Sequence, residues 1–211
     1  MRSNENRAAS WPVADPNTPP FLQSPAEGRL VSSSMPSPGI LVSTFLDHAE
    51  GQERFFWQSA GDEIIVAGFG SAVELMAWGE GRYEEIERKS AVLFSNADLY
   101  SNQNRLSAPR LFGGFAFRDD FAPDKTWAVF HPAHFVLPHF QLIQNGIDSW
   151  LTINTMLPLE EDLTSARIEL KAALLARYEA LLMASENRPK STTAVDLAHV
   201  SYPMSYATWG A

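Results

Sequence analysis

The sequence predicts an α+β fold, on three observations. Short β-branched and aromatic runs, bounded by Gly, Pro, Asn and Ser, recur at strand length along the chain. Two segments, Tyr83–Phe94 and Leu159–Ser185, carry apolar residues at three- and four-residue steps instead. Aliphatic and aromatic residues make up 45% of the 211 positions and charged residues 19%, which is enough apolar material for a sizeable core.

Residues 1–27 hold Pro12, Pro16, Pro19, Pro20 and Pro25 among Ser, Asn and Ala, a composition that supports neither ladders nor helix turns. They read as a flexible leader without the apolar core of a secretory signal, and residues 28–211 as one domain. Leu30–Ser34 and Ile40–Leu46 read as two strands around a turn at Pro36, Pro38 and Gly39. Arg54–Gln58 and Glu63–Phe69 are expected to pair through the loop Ser59-Ala60-Gly61-Asp62. Val73, Met76 and Ala77 then suggest a helix over Ser71–Trp78, followed after Gly79 and Gly81 by one over Tyr83–Phe94. Asn96–Pro109 is turn-rich and reads as a loop.

Leu111–Phe117 reads as a strand whose Gly113 and Gly114 signal a bulge or a close backbone approach. Thr126–Phe130, Ala133–Gln144 and Ser149–Thr155 read as further strands, with Asn145-Gly146 turning the last pair into a hairpin. Leu159–Ser185 is a long amphipathic helix, Asn187–Thr193 a linker, and the last eighteen residues complete no element. No solenoid period is present.

A net charge of -9 disfavours nucleic acid, whose phosphates are met by cations. The absence of cysteine excludes disulfides, thiolate metal sites and a Cys nucleophile, and fits the cytoplasm. No apolar run is long enough for a transmembrane helix, so no membrane contact is expected.

Gly68-Phe69-Gly70 has the context of a dinucleotide loop, but Val73 stands where the third glycine belongs. His131, His134 and His139 invite a metal reading, yet on one strand His134 and His139 point to opposite faces. Asp119, Asp120 and Asp124 form an acidic loop of the kind common on solvated turns. Glu84, Glu85 and Glu87 read as a helix's outer face, and Glu160, Glu161 and Asp162 as charge complementing a helix N-terminus. Phe112, Phe115, Phe117, Trp127, Phe130, Phe135 and Phe140 recur at strand spacing and read as core. No catalytic, cofactor-binding or metal-ligating residue is assigned.

The ordered series Arg54-Phe55-Phe56-Trp57, Ala67-Gly68-Phe69-Gly70-Ser71-Ala72, Pro109-Arg110-Leu111-Phe112-Gly113-Gly114-Phe115-Ala116-Phe117, Trp127, and Phe130-His131-Pro132-Ala133-His134-Phe135-Val136-Leu137-Pro138 resembles the amino-terminal half of isochorismate synthases of the menaquinone type. These belong to the chorismate-utilising enzymes, with anthranilate, aminodeoxychorismate and salicylate synthases as relatives. The resemblance covers about residues 28–209. It implies antiparallel or mixed sheets with flanking helices, and Mg-dependent isomerisation of chorismate to isochorismate. In that chemistry a lysine acts as general base on water, a glutamic acid protonates the departing hydroxyl, and further glutamates hold the Mg2+.

The family's catalytic groups lie in its carboxy-terminal half, in a chain roughly twice as long as these 211 residues. Its lysine strand motif does not occur around Lys89, Lys125, Lys171 or Lys190. The resemblance therefore implies a truncated piece, non-catalytic alone and binding no Mg2+ by itself. It would use chorismate only when complete, and would partner either its carboxy-terminal half or itself through exposed sheet edges. The alternative is a stand-alone scaffold or regulatory binding module, or a fragment of an anthranilate or salicylate synthase.

Overall fold

The computed structural model describes residues 28–59, 61, 64–100, 105–118 and 130–187. The leader, most of the Thr126–Phe130 strand, the acidic loop Asp119, Asp120 and Asp124, and everything after Asn187 lie outside the described residues.

The α+β expectation holds. One seven-stranded mixed sheet runs β2-β3-β6-β7-β1-β4, with β5 also paired to β6. Its strands are β1 (Gly28–Pro36), β2 (Arg54–Gln58), β3 (Ile64–Ala77), β4 (Asp98–Tyr100), β5 (Phe112–Phe115), β6 (Ala133–Asn145) and β7 (Asp148–Pro158). The helices are α1 (Val42–Asp47), α2 (Arg82–Ser95) and α3 (Leu163–Asn187). Only the β1–β4 pair is parallel among the described ladders.

Leu30 and Val31 are adjacent on β1 yet enter different cores, as side chains that alternate across a sheet must. The first core joins Val31, Phe69, Phe140, Leu142, Leu151 and Ile153 of the sheet to Phe45 of α1 and to Leu170, Leu174 and Leu181 of α3. The second joins Leu30, Val73, Leu75, Ala133 and Leu137 to Ile86 and Leu93 of α2.

Four expectations are corrected. Ile40–Leu46 is not a strand: Gly39 at φ 85 ends the extended chain, and Phe45 donates N–H to Leu41 O at 2.9 Å in a short helix that buries its ring completely. Packing outweighs the β propensity of Ile40 and Val42. Ser71–Trp78 is not a helix but the second half of β3. The ladder to β6 shifts register between Ser71 and Val73, so Ala72 is an extra residue. The shift breaks the alternation that marks a strand and leaves Val73, Met76 and Ala77 at a helix-like spacing. It also moves Val73, Leu75 and Ala77 into the second core, whereas Ala67 and Phe69 lie in the first.

The Asn96–Pro109 stretch contains β4 and a 3-10 turn over Arg105–Ser107, too short to leave a periodic signal. The long helix starts at Leu163, because the Asp162 carboxylate accepts the N–H groups of Thr164 (3.1 Å) and Ser165 (3.2 Å). The β6–β7 hairpin is confirmed, with its turn on Gly146 and Ile147 between the paired Asn145 and Asp148. Gly146, at φ 59, supplies the positive backbone angle that a tight hairpin needs at this position.

Candidate functional site

The two glycines of β5 build one end of the sheet. A Cβ on Gly113 would lie 2.6 Å from Phe135 Cα and would also overlap His134 O, so only glycine lets β5 lie against β6. Beyond β5, Ala116 N–H donates to Pro132 O at 2.7 Å. Arg82, fully buried at the start of α2, donates to Ala116 O (3.0 Å) and Gly79 O (3.1 Å), and its guanidinium lies 4.5 Å from the Tyr83 ring centre. A buried cation thus ties α2 to the chain leaving β5, its charge met by carbonyl oxygens and a ring face.

Against this frame stands an aromatic wall. Tyr83 stacks on Phe115 at 4.3 Å, and Phe115 tilts against Phe135 at 4.9 Å. Phe117 and Phe130 flank them, exposed by 99% and 54%, far more than the core that strand spacing suggested. Together with Arg118, His131 and His134 they line an open, mainly apolar cavity of about 580 Å³. That is within the usual size of small-molecule sites, which combine apolar walls with a few polar groups.

The histidines divide. His134 and His131 meet edge to face at 5.5 Å on the cavity, and Trp78 meets His131 at the same distance. His134 Nε2 lies 3.1 Å from Glu74 Oε2, the ring N–H donating to the carboxylate. Glu53 stands close enough to feel both: burial first, then the Glu74 charge, push its carboxyl above the usual range, while His134 opposes them. His139 is elsewhere, its Nδ1–H donating to Asn154 O at 2.8 Å, and burial depresses its basicity. His131 and His134 thus line the cavity, and His139 does not.

Sequence reasoning missed the Glu74–His134 pair and Glu53. Glu74 had been placed on a helix, and only the β3–β6 register, which sets Met76 opposite His134 and Glu74 opposite Val136, brings these groups together.

Among the described residues no three His, Asp or Glu side chains are grouped to hold a metal ion. Glu74 is already engaged by His134. A second cavity of about 430 Å³ is lined by Arg29, Asn96, Asp98 and Leu163. Its acid is already satisfied: Arg167 holds Asp98 by two bonds of 2.6 and 2.7 Å and depresses its carboxyl pKa. The acidic runs are structural where described. Glu85 pairs with Arg88 and Lys89 on α2, and Asp162 caps α3. No helix among the described residues is long and apolar enough to cross a membrane.

Comparison with known proteins adds the family. No curated protein matches the chain. Among solved structures, the chain is similar to MenF, the menaquinone-specific isochorismate synthase from Escherichia coli, at 15% identity and a TM-score of 0.40. The match covers 69% of this chain and 28% of that one, so the chain spans well under half of that protein's length. A family model described as chorismate binding enzyme matches residues 19–209, nearly the whole sequence. The chain belongs to the chorismate binding enzyme family.

Proposed function

We propose that this chain is the non-catalytic, amino-terminal part of an isochorismate synthase, working in the cytoplasm in menaquinone or siderophore synthesis. In this reading it supplies sheet and helix walls, while the proton-transferring groups and the Mg2+ ligands come from a carboxy-terminal half. The observation that carries it is the family match over residues 19–209, on a fold whose described residues present an aromatic cavity but no grouped metal ligands. Chorismate is anionic, and its isomerisation needs both a proton donor at the leaving hydroxyl and neutralisation of the carboxylates. The cavity offers mainly apolar wall, with one guanidinium, that of Arg118.

The test is conversion of chorismate in the presence of Mg2+, by the chain alone and co-expressed with the carboxy-terminal half of an isochorismate synthase. Isochorismate is expected from the pair and not from the chain. Turnover by the chain alone would overturn the reading.

The cavity itself favours a second reading, a binding module that takes a ring-bearing acid without transforming it. Trp78, through His131, places an indole beside that cavity. Saturable change of tryptophan fluorescence with chorismate or an aromatic amino acid, and no turnover with the second half, would select this reading.

A further inference from the structure

We propose that the β2 edge is a pairing surface for a second copy of this chain, joining two sheets into one continuous sheet through antiparallel β2–β2 pairing across a two-fold axis at Phe56. This inference does not depend on the reading of chorismate chemistry above.

The first observation is which backbone groups β2 leaves open. Gly70 N–H donates to Glu53 O and Ser59 N–H to Ile64 O, so the odd residues of β2 bond to β3. Antiparallel ladders alternate, and Arg54, Phe56 and Gln58 therefore turn their N–H and C=O groups away from β3, toward the open edge. Among the described residues the sheet order ends at β2 on this side.

The second observation is that β2 carries few of the devices that guard an edge, Arg54 being its one charge. It holds no proline, lysine or register shift, and it exposes Phe56 by 55% and Trp57 by 53%. The opposite edge is different: β4 has three residues, and Arg167 is clamped across it onto Asp98 and lies 5.3 Å from the Tyr100 ring centre.

The third observation selects the occupant. Arg-Phe-Phe-Trp-Gln is self-complementary about its middle residue. Antiparallel pairing centred on Phe56 sets Phe56 opposite Phe56, Phe55 opposite Trp57, and Arg54 opposite Gln58. No like charges meet, aromatic rings face each other across the strands, and roughly six backbone hydrogen bonds close the outward pairs. One further step outward, Glu53 falls opposite Ser59, again without a like-charge clash. For a chain of net charge -9, an edge strand bearing Arg54 and no acid lets two copies approach without opposing carboxylates on the paired strands.

The absence of native cysteine makes the register directly testable on the full chain. In this pairing the two Phe56 Cα atoms are about 5.5 Å apart, within the span of a disulfide. The two Arg54 Cα atoms are roughly 14 Å apart, outside it. Expected are a concentration-dependent dimer in sedimentation, a covalent dimer of F56C under mild oxidation, none of R54C alone, and a covalent dimer when R54C and Q58C are mixed. I147C, at the exposed tip of the β6–β7 hairpin, should stay uncrosslinked. Phe56→Lys, which sets like charges on the axis, should weaken the dimer about tenfold or more without changing the monomer's melting. A monomer at every concentration overturns the proposal. So does crosslinking of R54C alone as fast as F56C, which marks unspecific association. So does loss of the F56C crosslink on co-expression with a carboxy-terminal half, which makes that polypeptide the occupant.

Discussion

On one face of the sheet, Phe45, Phe69, Phe140, Leu170 and Leu174 meet under α1 and α3, with Phe45 and Phe69 in ring contact at 4.8 Å. On the other face, Ser32, Gln141, Thr152 and Asn154 are wholly buried too, yet they are held by directed bonds. Ser32 donates to Asn154 Oδ1, and Asn154 Nδ2 to Pro138 O. Thr152 donates to Ser107 O, and Gln141 both accepts from Arg110 N–H and donates to Ala108 O. A bare stretch of chain around residues 105–110 is thereby fastened across the strands where the first face needs two helices. Apolar contact is non-directional and requires bulk, whereas hydrogen bonds with every partner present can seat a thin segment at low area.

The contrast can be broken from either side, and the larger effect is expected on the apolar face. Phe45→Ala should cost about 3–5 kcal/mol in denaturant unfolding, because the ring is fully buried and its removal leaves a cavity between α1 and the sheet. Gln141→Leu should cost about 1–3 kcal/mol, since it strands the Arg110 N–H and leaves the Ala108 carbonyl only its 3.3 Å bond from the Arg110 guanidinium. Its signature is local: amide exchange should rise around residues 107–111 while α3 stays protected. Equal loss of protection in both places would mean that the two covers are not distinct.

Charge gives smaller effects with opposite signs. Burial raises the Glu53 carboxyl, so ionising it in the folded state is unfavourable. The folding advantage of the protonated form is full below the unfolded value and lost as pH rises through the folded one. Glu53→Gln should therefore melt higher than the parent at neutral pH and match it in acid. Arg167 lowers the Asp98 carboxyl, whose stabilisation is present above the unfolded value and lost as pH falls through the folded one. Asp98→Asn should then remove a shallow slope from the acid limb of the melting curve, by little, because this pair is partly open to solvent.

The apolar face was legible in the sequence and the polar one was not. Val31, Phe69, Leu142, Leu151 and the stripe along α3 announce themselves by hydropathy, and the hairpin by Asn145-Gly146. Ser32, Gln141, Thr152 and Asn154 give no hydropathy signal, and what holds Gln141 and Thr152 is contact with residues 107–110. That contact is long-range and leaves no local periodicity. The second half of β3 was lost for a related reason: one extra residue at Ala72 erases the alternation that identifies a strand. At the candidate site, Gly113 as a point of close approach was readable. Glu74 meeting His134 was not, since it depends on a register that a single insertion changes.

The extra residue also couples the two layers mechanically. β3 runs without a break from the layer under α1 and α3 to the layer under α2, and β6 follows it through both. Neither layer can peel away without tearing a ladder that the other is holding. Heat should therefore dissolve both in a single calorimetric step, with the enthalpy of one cooperative unit and no plateau between.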